Sequence, residues 1–100
     1  MKDIIEKLNK AFENRIKLGI MSILMVNEDV DFSGLKEMLQ VSDGNLASHL
    51  KALVSEEFIV VKKSFVERKP NTKYAMTKKG RKAFDDHLKA LESLIRMNRQ

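Results

Sequence analysis

Cysteine and tryptophan are absent from this chain, proline and tyrosine occur once each, and glycine occurs four times. Without cysteine there is neither a disulfide scaffold nor a thiolate metal site, so the fold rests on its apolar core. The four glycines are scattered and form no phosphate-cradling loop ahead of a helix. No nucleophile stands beside a base at a suggestive spacing. The expectation is a protein that is not an enzyme, with no cofactor and no bound metal. The longest apolar run, Ile20 to Val26, is interrupted by Ser22 and falls short of the ~20 residues that span a membrane. Asp3, Glu6 and Lys7 break up the N-terminus, where a signal peptide would be apolar. A cytoplasmic location without a membrane partner is therefore expected.

What is present points to one small domain over residues 1–100, with 43% apolar and 33% charged residues. The net charge of +5 is unevenly spread. Between Lys62 and Lys82, nine cations face only Glu67, a local excess of +8 that leaves the remainder at −3. Such asymmetry predicts one polyanion-binding face, although lysines that merely solubilise a hairpin and a helix would look similar.

Ile4, Ile5, Leu8, Ala11 and Phe12 recur at helical spacing and predict a first helix over about 3–12. From Ile16 to Val26 the chain is apolar almost all round, as in a central buried helix, with Asn14 as its cap. Val30 to Phe32 suit a very short strand, and Ser33 is a candidate cap for a short helix carrying Leu35, Met38 and Leu39. Ser42-Asp43-Gly44 is turn and cap chemistry leading into a helix over about 43–55, with Leu46, Leu50 and Leu53 on one face. Two short helices joined so tightly make a helix-turn-helix. Phe58 to Val66 and Thr72 to Thr77 have strand character, and the basic loop Glu67 to Asn71 between them makes a hairpin with a tip stiffened by Pro70. Thr77 caps a last helix over about 78–97, striped by Phe84, Leu88, Leu91 and Ile95. Gly80 in its first turn is expected to cost up to ~1 kcal/mol relative to alanine. The fold class is thus mainly α with a small β-hairpin (α+β), a winged helix-turn-helix with an additional helix at each end.

Three segments in this order resemble regulators of the MarR and ArsR type. Asn14 to Met21 resembles their first core helix. Val41 to Leu50, with Gly44-Asn45-Leu46-Ala47-Ser48-His49 inside it, is similar to their recognition helix. Lys73 to Gly80, together with the Arg68-Lys69-Pro70 wing, resembles the second wing strand and the start of the last helix. The resemblance covers about residues 14–84 and implies a homodimer that binds double-stranded DNA and regulates transcription. The chain departs from metal-sensing members, because it lacks cysteine and its two histidines, His49 and His87, fall on different helices.

A helix of ordinary diameter fits the major groove, where base edges carry a distinguishable pattern. Gly44 would permit close backbone approach. Asn45, Ser48 and His49 would meet base edges, and Lys51 would meet phosphate. The wing over about 67–73 would place Arg68 and Lys69 on the minor groove or backbone, with Lys63 and Lys73 flanking. Asp43 is repelled by phosphate, which favours a local role at the helix start over a contact with cytosine. Lys78, Lys79, Arg81 and Lys82 suit either DNA contact or solubility. His87, beside Asp85 and Asp86, is expected to be exposed, and the methionines fill the core. The terminal helices are expected to pair two copies. The alternative to a DNA-binding regulator is a winged-helix module that docks proteins without DNA.

Overall fold

Short polar side chains set where the helices begin. In the computed structural model, which describes residues 1–99, Asn14 Oδ1 accepts from the amides of Ile16 and Lys17 at 2.9 and 3.0 Å. Asp31 Oδ1 accepts from Gly34, Ser42 Oγ from Asn45 and Thr77 Oγ1 from Gly80. Each such cap satisfies an amide with no partner inside its helix and contributes ~1 kcal/mol. The caps delimit α2 (Arg15–Val26), α3 (Phe32–Leu39), α4 (Asp43–Ser55) and α5 (Lys78–Met97), preceded by a short α1 (Lys2–Glu6). Strands β1 (Val30–Asp31), β2 (Ile59–Val66) and β3 (Lys69–Met76) form an antiparallel sheet in the order β1-β3-β2. Among the described residues, five α-helices and this small sheet make the winged helix-turn-helix expected from the sequence.

Four local expectations fail for identifiable reasons. The first helix does not run from 3 to 12: α1 stops at Glu6, and a 3₁₀ turn occupies Lys10–Glu13. Asn9 breaks the run, because its side chain caps Ala11 while its own amide leaves the helix to donate to His87 Nδ1 at 2.9 Å. Ser33 is not a cap; Asp31 takes that role, and Phe32 opens α3 rather than extending β1. The hairpin turn is two residues, Glu67 and Arg68, and Lys69 to Asn71 already belong to β3. His87 is buried, at 4% exposure, in place of the expected solvent position.

The core gathers the apolar faces of α2, α3 and α4 beneath the sheet. Ile20, Met21 and Leu24 of α2 meet Leu35 of α3 and Leu46, Leu50 and Leu53 of α4. Phe12 extends this core toward α5, with ring centroids 5.4 Å from Phe58 and 5.2 Å from Phe84. Not all of α2 is covered, since Val26 at its end is exposed. The radius of gyration, 15.2 Å, exceeds the ~13 Å typical of a packed domain this size, and the longest dimension is 58 Å. Two parts can project from a core this small, the hairpin beyond β1 and the twenty-residue α5.

His87 ties the segment between α1 and the 3₁₀ turn to α5, and it can do so only as an acceptor. Its ring lies edge-on to Phe12, with centroids 5.4 Å apart. Burial pulls its pKa below the ordinary value near 6.5, and the Glu13 carboxylate opposes the shift only in part. The unfolded chain therefore binds the proton more readily than the folded one. Stability should be flat above about pH 6.5, fall as pH drops from there toward the lowered folded value, and level off below it. Melting curves of wild type and His87→Phe between pH 7.5 and 5 check this. Wild type should lose more stability than the variant on acidification, and equal losses would mean that His87 is not the titrating group.

Candidate nucleic-acid interface

Helix α4 starts three residues after the αL turn at Gln40, whose amide donates to the Lys36 carbonyl at 2.8 Å. Leu46, Leu50 and Leu53 anchor its inner face at 2% exposure or less, which fixes the rotation of the helix. With 3.6 residues per turn, Gly44, Ser48, Lys51 and Ser55 then line the outer face, and all four are exposed. Asn45 and Ala47 are exposed on either side of that line. His49 lies closer to the buried face and is only half-exposed, so it sits at the edge of the surface rather than at its centre. Ser55 joins the outer line although the sequence did not single it out. Two turns of the same spacing beyond Ser48 would have found it.

Two observations concern the start of α4. A Cβ placed on Gly44 would meet no atom within 4 Å, so nothing in the fold itself requires glycine there. Yet glycine in a helix costs up to ~1 kcal/mol relative to alanine. Asp43 pairs with Lys36 of α3 at 2.8 Å, across the helix-turn-helix. Both partners are largely exposed, so the pair adds little stability, but it neutralises the carboxylate at the start of α4. Asp43 stands in the first turn of α4, but the amide cap there is Ser42, and the partner of Asp43 is Lys36 of α3.

The hairpin is three-stranded only at its base, because β1 reaches no further than Lys73. Beyond the Lys62↔Lys73 pair, the pairs from Lys63↔Thr72 to Val66↔Lys69 form a free two-stranded ribbon of roughly 13 Å. Glu67 and Arg68 close it with φ of 52° and 67°. Two consecutive positive values define the turn whose twist suits a tight hairpin and which favours asparagine and glycine. Arg68 thus occupies a position where a side chain costs ~1 kcal/mol, and it carries its charge at the outermost point of the wing. Pro70 lies opposite Phe65, one pair in from the turn. Pairs alternate in bonding, and the pair flanking the turn is bonded, so the missing Pro70 N–H points away from β2 and costs no ladder bond.

The cations divide by environment. Lys62 and Lys73 flank Asp29, at 4.0 and 3.7 Å. Lys63 faces the opposite side of the ribbon from Lys73, because their strand positions alternate. The two therefore do not converge on one point. Lys82 pairs with Asp86, and Lys79 lies over the Phe58 ring, 5.7 Å from its centroid. Lys63, Arg68 and Lys69 have no carboxylate partner among the described residues. Lys78, Lys79 and Arg81 crowd the first turn of α5, which holds no acidic residue. That arrangement opposes the helix dipole, which favours anions at this end. An anion held nearby would offset the repulsion.

Among the described residues, no group of three or more His, Asp or Glu is placed to hold a metal ion. Among the same residues, no helix is long and apolar enough to cross a membrane.

Residues 16–95 match the family model described as the winged helix DNA-binding domain. An uncharacterized protein of Methanocaldococcus jannaschii is 37% identical over 79 residues, covering 79% of this chain and 86% of its own. A transcriptional regulator homologue from Pyrococcus horikoshii has a similar structure, with a TM-score of 0.85, 27% identity and 95% of each chain covered. PadR of Bacillus subtilis, solved in complex with operator DNA, shares the fold at a TM-score of 0.67 and 18% identity. That likeness spans 75% of this chain and 47% of the PadR chain.

Proposed function

This chain belongs to the winged helix DNA-binding domain family, and we propose that it is a sequence-specific, homodimeric transcription regulator of duplex DNA. Helix α4 enters the major groove with Gly44, Ala47 and Ser48 toward the bases, where small side chains let the backbone approach closely. Gly44 carries the reading. It weakens an exposed helix without any packing reason within its own fold, and a surface that must lie close to a ligand supplies the reason. Asn45 pairs with an adenine edge, Ser48 meets an adjacent base, His49 contacts the groove at its margin, and Lys51 holds phosphate. Arg68 and Lys69 reach the flanking minor groove or its backbone, with Lys63 beside them. Lys73 contributes less, because Asp29 already faces it.

The dimer rests on α1 and α5. Helix α5 buries Gly80, Phe84, His87 and Ala90 within its own domain. On the adjoining edge Leu88, Leu91 and Ile95 remain 37%, 38% and 62% exposed, and Ile5 of α1 is 51% exposed. A second copy covering this edge would bury it and set two recognition helices ~34 Å apart, one turn of DNA. Light scattering should then give twice the 11.5 kDa chain mass. A monomer at DNA-binding concentrations would remove the dimer from the mechanism.

Fluorescence anisotropy of the protein against a randomised duplex pool, at about 50 and 200 mM salt, tests the function. Tight binding that weakens steeply with salt is expected, since neutralised phosphates release counterions. Absent binding at both salts would overturn the reading in favour of protein docking. Once a preferred site is selected, Asn45→Ala should weaken binding to it about tenfold and to random DNA much less. Equal losses on both would mean that Asn45 does not read bases.

A further inference from the structure

The free ribbon carries an apolar feature that neither core nor charge explains. Phe65 is 75% exposed and Val66 53%, although both sit on the most basic projection of the molecule. Phe65 lies directly opposite Pro70 in a pair that makes no ladder bonds. In such pairs the side chains approach most closely, so the two rings form one apolar ridge on one face of the ribbon. Lys63 lies two residues behind Phe65 on the same face, and Arg68 stands in the turn beyond. Lys69 flanks the ridge on the other face, opposite Val66.

We propose that Phe65, backed by Pro70, is a wedge that packs into the minor groove of bound duplex DNA while Arg68, Lys69 and Lys63 hold the phosphates on either side. The inference rests on the DNA-binding reading above and deepens it. Charge selects the occupant. Two copies meeting through this ridge would bring Lys63, Arg68 and Lys69 of each against the same cations of the other, with only Glu67 to offset them. The minor groove supplies the complement, a floor and walls of sugar C–H and base edges between two rows of phosphates, where inserted apolar side chains are accommodated. A phenyl ring adds contact area without neutralising charge, so its contribution is separable from that of the cations.

The test compares wild type, Phe65→Ala and Phe65→Leu on one duplex containing A·T runs, across a salt series. A minor-groove-binding polyamide serves as competitor. Phe65→Ala should bind roughly tenfold more weakly with an unchanged salt slope, Phe65→Leu should recover most of the loss, and the polyamide should lower wild-type affinity toward that of Phe65→Ala. Melting temperatures of both variants should stay within a few degrees of wild type, since the side chain lies outside the core and loses only its cross-strand contact with Pro70. Equal affinity of Phe65→Ala and wild type would overturn the wedge and leave the DNA reading standing. A loss accompanied by a flatter slope would also overturn it, because the substitution would then have displaced the cations. Wild-type protein that binds no duplex would overturn the DNA reading itself, and the wedge with it.

Discussion

Gly80→Ala should destabilise the protein by about 3 kcal/mol and lower its melting temperature by on the order of 15 °C. Helix propensity alone predicts the opposite sign, a gain of up to ~1 kcal/mol for replacing glycine in the first turn of α5. Packing decides otherwise. A Cβ on Gly80 would stand 2.7 Å from the Phe58 carbonyl carbon and 2.9 Å from the Phe58 Cα, and closer still to the carbonyl oxygen. These are backbone atoms and cannot swing aside. They are held by the knot that joins the end of α4 to the start of α5. The Thr77 amide donates to the Phe58 carbonyl at 3.1 Å, and the Thr77 hydroxyl donates to the Glu57 carbonyl at 2.6 Å. The same hydroxyl oxygen accepts from Gly80 at 2.9 Å. To admit a methyl group, α5 must move off Phe58, pulling Phe84 and His87 away from Phe12. Circular-dichroism melts check the outcome. An unchanged or higher melting temperature would mean that α5 slides at no cost and that propensity prevails.

Gly80 also marks where a linear sequence stops being informative. Its neighbours in the chain suggested only a weak point in a helix, because the atoms that require glycine belong to Phe58, more than twenty positions earlier. The same holds for His87. Asp85 and Asp86 beside it suggested solvent, whereas the groups that bury it, Asn9 and Phe12, lie nearly eighty positions away. Features carried by nearby residues were legible. Asn14, Ser42 and Thr77 cap the helices they precede, the leucine spacing fixes the inward face of α4, and α5 runs over the expected range. The wing was legible in kind but not in geometry. Pro70 and Asn71 looked like loop residues, and the turn lies instead at Glu67-Arg68, which lacks the Asn-Gly signal of a tight hairpin. With the turn at Glu67-Arg68, Phe65 and Pro70 lie opposite each other, a pairing that a loop over Glu67 to Asn71 does not contain.

The same geometry sharpens what removal of the wing cations should do. Arg68→Ala with Lys69→Ala should weaken binding to every duplex roughly 60-fold at about 0.1 M salt. The dependence of log affinity on log salt should become shallower by about 1.8. Both figures follow from two lost phosphate contacts, each contributing a slope of ~0.9 through counterion release. The substitutions should not harm the fold. Arg68 and Lys69 are exposed, lack carboxylate partners among the described residues, and sit beyond the reach of β1. Alanine at Arg68 keeps the same positive φ, so the turn neither gains nor loses much. Lys62→Ala with Lys73→Ala is the informative control. It removes the same charge from the same hairpin, but from two lysines already facing Asp29. If position in the ribbon matters, the control should change the slope by clearly less than the tip pair. Equal changes for the two pairs would mean that the hairpin acts only through its total charge. An unchanged slope for the tip pair would take the wing out of DNA binding and leave α4 as the contacting element.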